Sequence, residues 1–309
     1  MNWPKDKKVL ALCGGVGGAK LALGLTKTLP PDQLSIVVNT ADDFDHMGLR
    51  ICPDLDTVCY TLSGLSNQEA GWGRAGESWR CMEALEQLRG ETWFRLGDLD
   101  LATHLYRRNE LDNGLSLSEV TADLAKKMGI THPIIPMTNA PIRTEVKTKT
   151  GWLPFQRYFV EKQCQPVISD IRFIGSELAK PSSEFIKQLT SPDLGCVIIC
   201  PSNPFLSIDP LLSLEGIRDT LINLQVPVIA VSPVIGGKAV KGPTAKIMKE
   251  LSLEITGATV AEHYGEFLTG FVIDTCDAAQ RDSLPAHLQV HVCQTLMKTL
   301  DDRIRLANE

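Results

Sequence analysis

No stretch of this sequence holds the eighteen or so consecutive apolar residues that span a bilayer. The first dozen residues, Met1–Leu12, carry lysines but neither a long apolar core nor an A-x-A-like cleavage site. Both absences point to a protein made and kept in the cytoplasm, with no membrane partner. C-x-x-C is missing too: the nine cysteines, at 13, 52, 59, 81, 164, 196, 200, 276 and 293, are odd in number, scattered and mostly set in apolar runs. They read as small buried hydrophobes in a reducing compartment, not as a disulfide framework or a zinc site. The six histidines form no H-x-x-x-H pair, so a transition metal lacks its usual ligands and any metal should be a hard one held by oxygen. Positive charge is in deficit, with 31 Lys+Arg against 37 Asp+Glu and a net charge of −6. A chain of that sign repels phosphate backbones, which argues against a nucleic-acid partner.

What is present is ordinary globular composition, 43% hydrophobic and 22% charged over 309 residues. At roughly 150 residues per domain that is one large or two medium domains. Lys8–Cys13 reads as a buried strand, followed by Gly14-Gly15-Val16-Gly17-Gly18 and a helix from about Ala19 to Thr28 that Pro30-Pro31 closes. A second buried strand, Ser35–Asn39, completes a βαβ unit, whose crossover forces parallel pairing. Further buried-strand candidates are Cys196–Cys200, Val226–Val231, Phe271–Asp274 and Gln289–Val292, with helical stretches near 209–223, 244–251 and 277–284 and a helical tail from about Thr295. The span 54–130 is mostly helical in pattern, and Thr144–Phe159 alternates like strands around a Thr150-Gly151 turn. The expected fold is α/β, a Rossmann-like parallel sheet with helices on both faces. Residues 1–53 and 191–309 would form the nucleotide-binding core, and 54–190 an inserted, largely helical cap.

In open α/β sheets ligands sit beyond the carboxyl ends of the strands, so the residues after each strand carry the argument. After the first come Gly14, Gly15, Gly17, Gly18 and Lys20, a turn that lets backbone approach an anion beside a helix N-terminus. It is neither a dinucleotide fingerprint, since Lys20 stands where the third glycine belongs, nor a Walker A loop, since Ala19 stands where its glycine belongs. A purely structural tight turn is the alternative. After the second strand, Asp42 and Asp43 are adjacent carboxylates that suit Mg²⁺ bridging to a diphosphate, or else a solvated cap. Asp54 and Asp56 follow Pro53 at a helix start, as helix-end charges or as a site edge with Arg50. Arg95 precedes Gly97-Asp98, where Asp98 can cap a helix and His104 reads as a packed or surface histidine. Ser202 and Asn203 of Pro201-Ser202-Asn203-Pro204, and Gly236 of the turn Ser232–Lys238, follow strands at the same edge. Lys238, Lys241 and Lys246 are close by in sequence.

Taken together, G-G-V-G-G-A-K at 14–20, N-T-A-D-D at 39–43, I-C-P-D-L-D-T at 51–57, L-G-D-L-D-L-A-T-H at 96–104, P-S-N-P at 201–204 and S-P-V-I-G at 232–236 resemble the 2-phospho-L-lactate transferase family of coenzyme F420 biosynthesis. The likeness runs in order over about 10–270, and Gly71-Trp72-Gly73 with Glu77-Ser78-Trp79 resembles its bacterial branch. The resemblance implies a Mg²⁺-dependent enzyme, a homodimer, that joins the ribityl hydroxyl of the deazaflavin Fo to a three-carbon phospho-acid carried on GMP as a mixed diphosphate, releasing GMP. By motif match, Asp56 and Arg95 would contact Fo, with Asp56 as the residue that orients the hydroxyl and takes its proton. Asp42 and Asp43 would hold Mg²⁺. Gly14, Gly15, Gly17, Gly18, Lys20, Ser202, Asn203, Gly236 and Lys246 would line the guanosine diphosphate cleft. Val16, Gly18 and Leu99 depart from the family pattern, Leu99 standing where many members carry arginine. That leaves open whether the acid is 2-phospholactate, phosphoenolpyruvate or 3-phosphoglycerate. The rival expectation is a nucleotide-sugar-binding regulator of a related group, disfavoured by Pro53-Asp54-Leu55-Asp56-Thr57 where that group resembles P-G-D-I-R.

Overall fold

The computed structural model describes residues 3–67, 72–240 and 242–309. The chain opens with β1 (Lys8–Cys13), α1 (Gly15–Thr28) and β2 (Leu34–Val38), then the hairpin β3 (Phe44–His46) and β4 (Leu49–Ile51). Four helices follow, α2 (Pro53–Leu62), α3 (Arg80–Gln87), α4 (Asp98–Asp112) and α5 (Leu117–Lys127), then β5 (Ile134–Pro136). A small antiparallel sheet comes next, β6 (Arg143–Thr148), β7 (Gly151–Pro154) and β8 (Ile168–Ile174), then α6 (Ser183–Leu189). The C-terminal part holds β9 (Leu194–Ile199), α7 (Asp209–Leu212), α8 (Ile217–Asn223), β10 (Val228–Val231), the hairpin β11 (Val234–Ile235) and β12 (Lys238–Ala239), α9 (Thr244–Glu250), α10 (Gly257–Tyr264), β13 (Gly270–Asp274), β14 (Gln289–Cys293) and α11 (Leu300–Asn308).

Seven strands form the central sheet in the order β14-β13-β10-β9-β1-β2-β5, and every pair in it is parallel. Side chains alternate across a strand, so β1 sorts itself between two cores. Leu10 and Leu12 join one core with Val197, Phe271 and Tyr158; Val9, Ala11 and Cys13 join the other with Ile36, Leu55 and Leu306. Covering both faces is what makes these strands apolar throughout rather than alternating. The expected α/β class with helices on both faces is therefore what the chain adopts.

Three local features depart from the sequence expectation. The helix after β1 begins at Gly15, not near Ala19, so most of the glycine cluster is its first turn. The reason is close packing: a Cβ on Gly17 would lie 2.3 Å from the Pro201 carbonyl oxygen, and one on Gly24 would lie 2.1 Å from that of Arg303. Second, β5 lies inside the stretch expected to be a cap, yet it pairs with β2 as the edge of the central sheet, and β8 was not anticipated at all. Third, the C-terminal helix starts at Leu300 because Thr299 and Asp302 form a capping box there, which leaves 295–298 extended. No helix among the described residues is long and apolar enough to cross a membrane.

Candidate active site

The carboxyl ends of β1, β2, β9, β10 and β14 open onto one cavity of about 560 Å³, roofed by α2, the start of α4, and residues 155–160. Gly14, Gly15, Gly17, Lys20, Asp42, Asp56, Arg95, Ser202 and Asn203 all line it. Residues more than a hundred positions apart therefore meet in one cavity.

The glycine turn is built differently from a free phosphate cradle. Gly14 N–H donates to Ser202 Oγ at 3.1 Å, and Gly15 N–H donates to Asp54 Oδ1 at 2.8 Å. A Cβ on Gly18 would meet Ser202 Oγ at 2.5 Å, so this glycine admits the neighbouring turn and is not in the cavity lining. Gly15 alone has open space on its Cα, at φ +63°, the left-handed region that glycine tolerates. Lys20 Nζ donates to the Met297 carbonyl at 3.1 Å, tying α1 to the extended segment before α11. Asn203 accepts the N–H groups of Phe205 and Leu206 on Oδ1, while its Nδ2 is buried with no hydrogen-bond partner.

Across the cavity stand Asp42, Asp54, Asp56 and Asp100. Asp54 and Asp56 are two apart on α2, about 200° round the helix, so they face opposite ways. Asp54 turns to α1, its Oδ2 also accepting from Asn39 Nδ2 at 3.0 Å. It caps a helix other than its own, a partner its position beside Pro53 does not reveal. Burial pushes the Asp42 carboxyl well up, and Asp54 beside it pushes it further. Asp54 is raised by burial as well, against its bonds from Asn39 and Gly15. Asp42 Oδ1 is buried without a hydrogen-bond partner.

Asp56 turns to α4. Arg107 Nη2 donates to its Oδ1 in a buried ion pair, while its Oδ2 is buried and unpartnered. Arg107 Nη1 also donates to the Arg50 carbonyl at 3.2 Å and to His104 Nδ1 at 3.0 Å. His104 Nε2 lies 3.3 Å from Asp100 Oδ2, whose other oxygen accepts the Tyr60 hydroxyl at 2.6 Å. Burial works against the Arg107 charge, but Asp56, Cys52 and Tyr60 together outweigh it and hold the guanidinium above its ordinary range. The histidine expected to be packed or on the surface is indeed packed, 1% exposed, but it also lines the cavity. Arg107 and Tyr60 escaped sequence reasoning; the spacing Asp100, His104, Arg107 on one helix face was the signal for the first.

Four expected site residues are not brought into the lining: Gly18, described above, and Asp43, Gly236 and Lys246. Asp43 Oδ2 pairs with Arg50 Nη2 at 3.3 Å, and burial pushes its carboxyl up to about 6 against that arginine. Gly236 N–H donates to Asp277 Oδ2 at 2.9 Å. Lys246 Nζ is taken up by Glu250 Oε1, the Tyr158 hydroxyl and the Pro166 carbonyl. From that stretch Val240, Gly242, Pro243 and Thr244 line the cavity instead. Leu99, the departure expected near the site, is 41% exposed and outside the lining. Asp98 accepts from Ser78 and from the Arg80 and Cys81 N–H groups, and Glu77 caps α4 by accepting from Leu99 and Asp100. Arg95 stacks over Trp79 at 4.6 Å. Gly71 and Lys241 lie outside the described residues.

Among the described residues no three His, Cys, Asp or Glu side chains gather as a metal cage. Mg²⁺ does not need one, since it often uses one or two protein carboxylates with substrate oxygens and water. Asp42, raised by burial and by Asp54 and with one oxygen orphaned, fits such an ion; beside it Asp54 has both oxygens engaged by Gly15 and Asn39, while Asp43 has Oδ2 on Arg50 and Oδ1 buried without a partner.

A family model described as 2-phospho-L-lactate transferase CofD matches residues 9–296. The chain is similar to the phosphoenolpyruvate transferase of Streptomyces coelicolor, 36% identical over 98% of this chain and 96% of that protein. It is also similar to the 2-phospho-L-lactate transferase of Methanosarcina acetivorans, 40% identical over 88% of this chain and 87% of that one. Among solved structures, a UPF0052-family protein of Bacillus halodurans matches 99% of this chain and 100% of its own with a TM-score of 0.64 at 14% identity, a likeness of fold.

Proposed function

The chain belongs to the 2-phospho-L-lactate transferase family, and from that premise we propose that it moves a three-carbon phospho-acid from a GMP-linked diphosphate onto the ribityl hydroxyl of the deazaflavin Fo, in coenzyme F420 biosynthesis. The new bond joins the hydroxyl oxygen to the phosphorus bearing the acid. The bond from that phosphorus to the GMP oxygen breaks, GMP leaves, and the hydroxyl proton passes to a base. Such a displacement depends on in-line placement and on donors that neutralise developing charge.

One observation carries this reading: Asp56 lines the cavity, and its Oδ2 is a buried acceptor to which no group among the described residues donates. Arg107 is a donor only, so His104 Nδ1, which receives its N–H, is an acceptor and the ring proton sits on Nε2. The nearest polar atom to Asp56 Oδ2 on that ring, His104 Nδ1 at 3.7 Å, is therefore also an acceptor. A ligand hydroxyl is the donor this oxygen suits, and Asp56 is the group placed to orient it and accept its proton. Arg95 offers a cation at the same end, and Phe155 and Phe159, stacked at 5.4 Å, an apolar surface for a flat ring. On the opposite wall Asn203 Nδ2 and the open Gly15 suit the diphosphate. Asp42, with water and the substrate's own oxygens, would hold Mg²⁺, which would supply neutralisation of the diphosphate charge.

The two relatives named above carry phosphoenolpyruvate in one name and 2-phospho-L-lactate in the other, so both acids stay candidates with 3-phosphoglycerate. The test is incubation with Fo, Mg²⁺ and each GMP-linked donor in turn, read by mass spectrometry. A phosphodiester of Fo with stoichiometric GMP from at least one donor is expected; binding without product from all three would leave a binding protein instead. We further propose a cytoplasmic homodimer, checked by sedimentation at working concentration.

A further inference from the structure

We infer that Arg107 and His104 are positioning residues: they lock Asp56 so that one carboxylate oxygen is spent on the protein and the other is kept for the substrate hydroxyl. This rests on the role proposed for Asp56. A carboxylate on the first turn of α2 is free to rotate, and either oxygen can face the cavity. The Arg107 guanidinium removes that freedom. Its planar fork reaches Asp56 Oδ1 with one nitrogen, and with the other both the Arg50 carbonyl, 3.2 Å, and His104 Nδ1, 3.0 Å. The guanidinium is thus fixed from three elements, α2, β4 and α4.

His104 has a second effect. Its Nδ1 lone pair is engaged by Arg107, so it offers Asp56 Oδ2 no proton at 3.7 Å. The ring is oriented by the Arg107 bond to Nδ1, with Asp100, which in turn receives the Tyr60 hydroxyl, 3.3 Å from Nε2. Arg107 is 2% exposed and His104 1%, so water does not compete for these bonds. A buried ion pair of this kind is weak evidence for stability, because desolvation offsets its attraction. Holding a single geometry is the use that fits one oxygen left without a protein donor on a residue that lines the cavity.

The test is a double-mutant cycle in steady-state turnover, with acceptor and donor varied separately. Arg107→Met should lower kcat tenfold or more while the donor KM stays within about twofold. The double variant with Asp56→Asn should be no slower than Asp56→Asn alone, since both act through one carboxylate. His104→Leu, which keeps the Arg107–Asp56 pair, should lower kcat several-fold. Arg107→Lys, a point charge without the fork, should fall between wild type and Arg107→Met. If Arg107→Met does not melt cooperatively, the Arg107→Lys and His104→Leu cycles carry the test. A folded variant with wild-type kcat, or losses that multiply with Asp56→Asn, would overturn the inference. Wild-type enzyme that makes no product from any donor would instead defeat the reading beneath it, and a fully active Asp56→Asn would defeat the role given to Asp56.

Discussion

The wall of the cavity that follows β1 and β9 presents backbone amides and a carboxamide, whereas the wall formed by the β2 turn, α2 and α4 presents four carboxylates. On the amide wall most polar groups are already used by the fold: Gly14 N–H on Ser202, Gly15 N–H on Asp54, Asn203 Oδ1 on two backbone donors. Among buried side-chain atoms of the described residues that wall has left one donor, Asn203 Nδ2; the acid wall has left two acceptors, Asp42 Oδ1 and Asp56 Oδ2, and His104 Nε2. Buried polar atoms are nearly always satisfied, so an orphaned atom on a residue that lines the cavity is a candidate partner for a ligand. An acceptor-rich substrate such as a diphosphate suits the amide wall, and a hydroxyl or a cation suits the acid wall.

The largest expected effect is at the acid wall. Asp56→Asn should cut turnover by roughly a hundredfold or more at saturating acceptor, the range for removing a general base. The donor KM should hardly change if the donor rests on the other wall, as proposed. Asp42→Asn comes next. Millimolar Mg²⁺ should raise the Tm of the wild type, since an ion that binds the folded state stabilises it, and this variant should abolish that rise. Without metal the same variant should melt higher than wild type, because it removes one of two buried like charges. A lower Tm in the absence of metal would break the picture of a repelling pair.

Asn203→Ala should raise the donor KM about tenfold, and cost about 1 kcal/mol through the lost cap on Phe205 and Leu206, read from chemical denaturation. The acceptor KM should stay put, which separates the walls from the other side. Glycine substitutions sharpen the same contrast. Gly17→Ala drives a Cβ to 2.3 Å from a backbone carbonyl and should cost about 1–3 kcal/mol. Gly15→Ala meets nothing and should cost only the positive φ, about 1 kcal/mol.

The smallest effect concerns a carboxylate with no orphaned oxygen. Burial pushes Asp274 up, but the N–H groups of Cys276 and Thr295 and the Thr295 hydroxyl outweigh it and hold it down to about 2. A depressed pKa contributes stability that is complete above the unfolded value, about 3.9, and is lost as pH falls through about 2. Asp274→Asn should flatten that acid limb in a pH series of thermal melts, with turnover at neutral pH affected least of all the variants named.

The sheet was legible because its strands are buried on both faces and each ends in a turn of glycine, proline, serine or aspartate. Gly15, Asp42 and Asn203 could be located from that alone, whereas Asp56, on a helix, and Arg95, before one, needed the family motifs. What stayed hidden depends on distant partners. Whether Asp43 or Asp54 faces Asp42 is decided by Arg50 and Gly15, and Lys246 looks available until Glu250 and Tyr158 are folded against it. The three-residue β5 is too short to show a period, so its pairing with β2 was invisible. Arg107 lies fifty-one residues from Asp56, and only the packing of α4 against the hairpin and α2 joins them.

The most direct measurement is a crystal structure of the enzyme with the deazaflavin acceptor bound. The account predicts the ribityl hydroxyl within hydrogen-bond distance of Asp56 Oδ2, with Arg107 still on Oδ1. An acceptor bound with that hydroxyl on the amide wall, and Asp56 turned away or bridged by water alone, would contradict it.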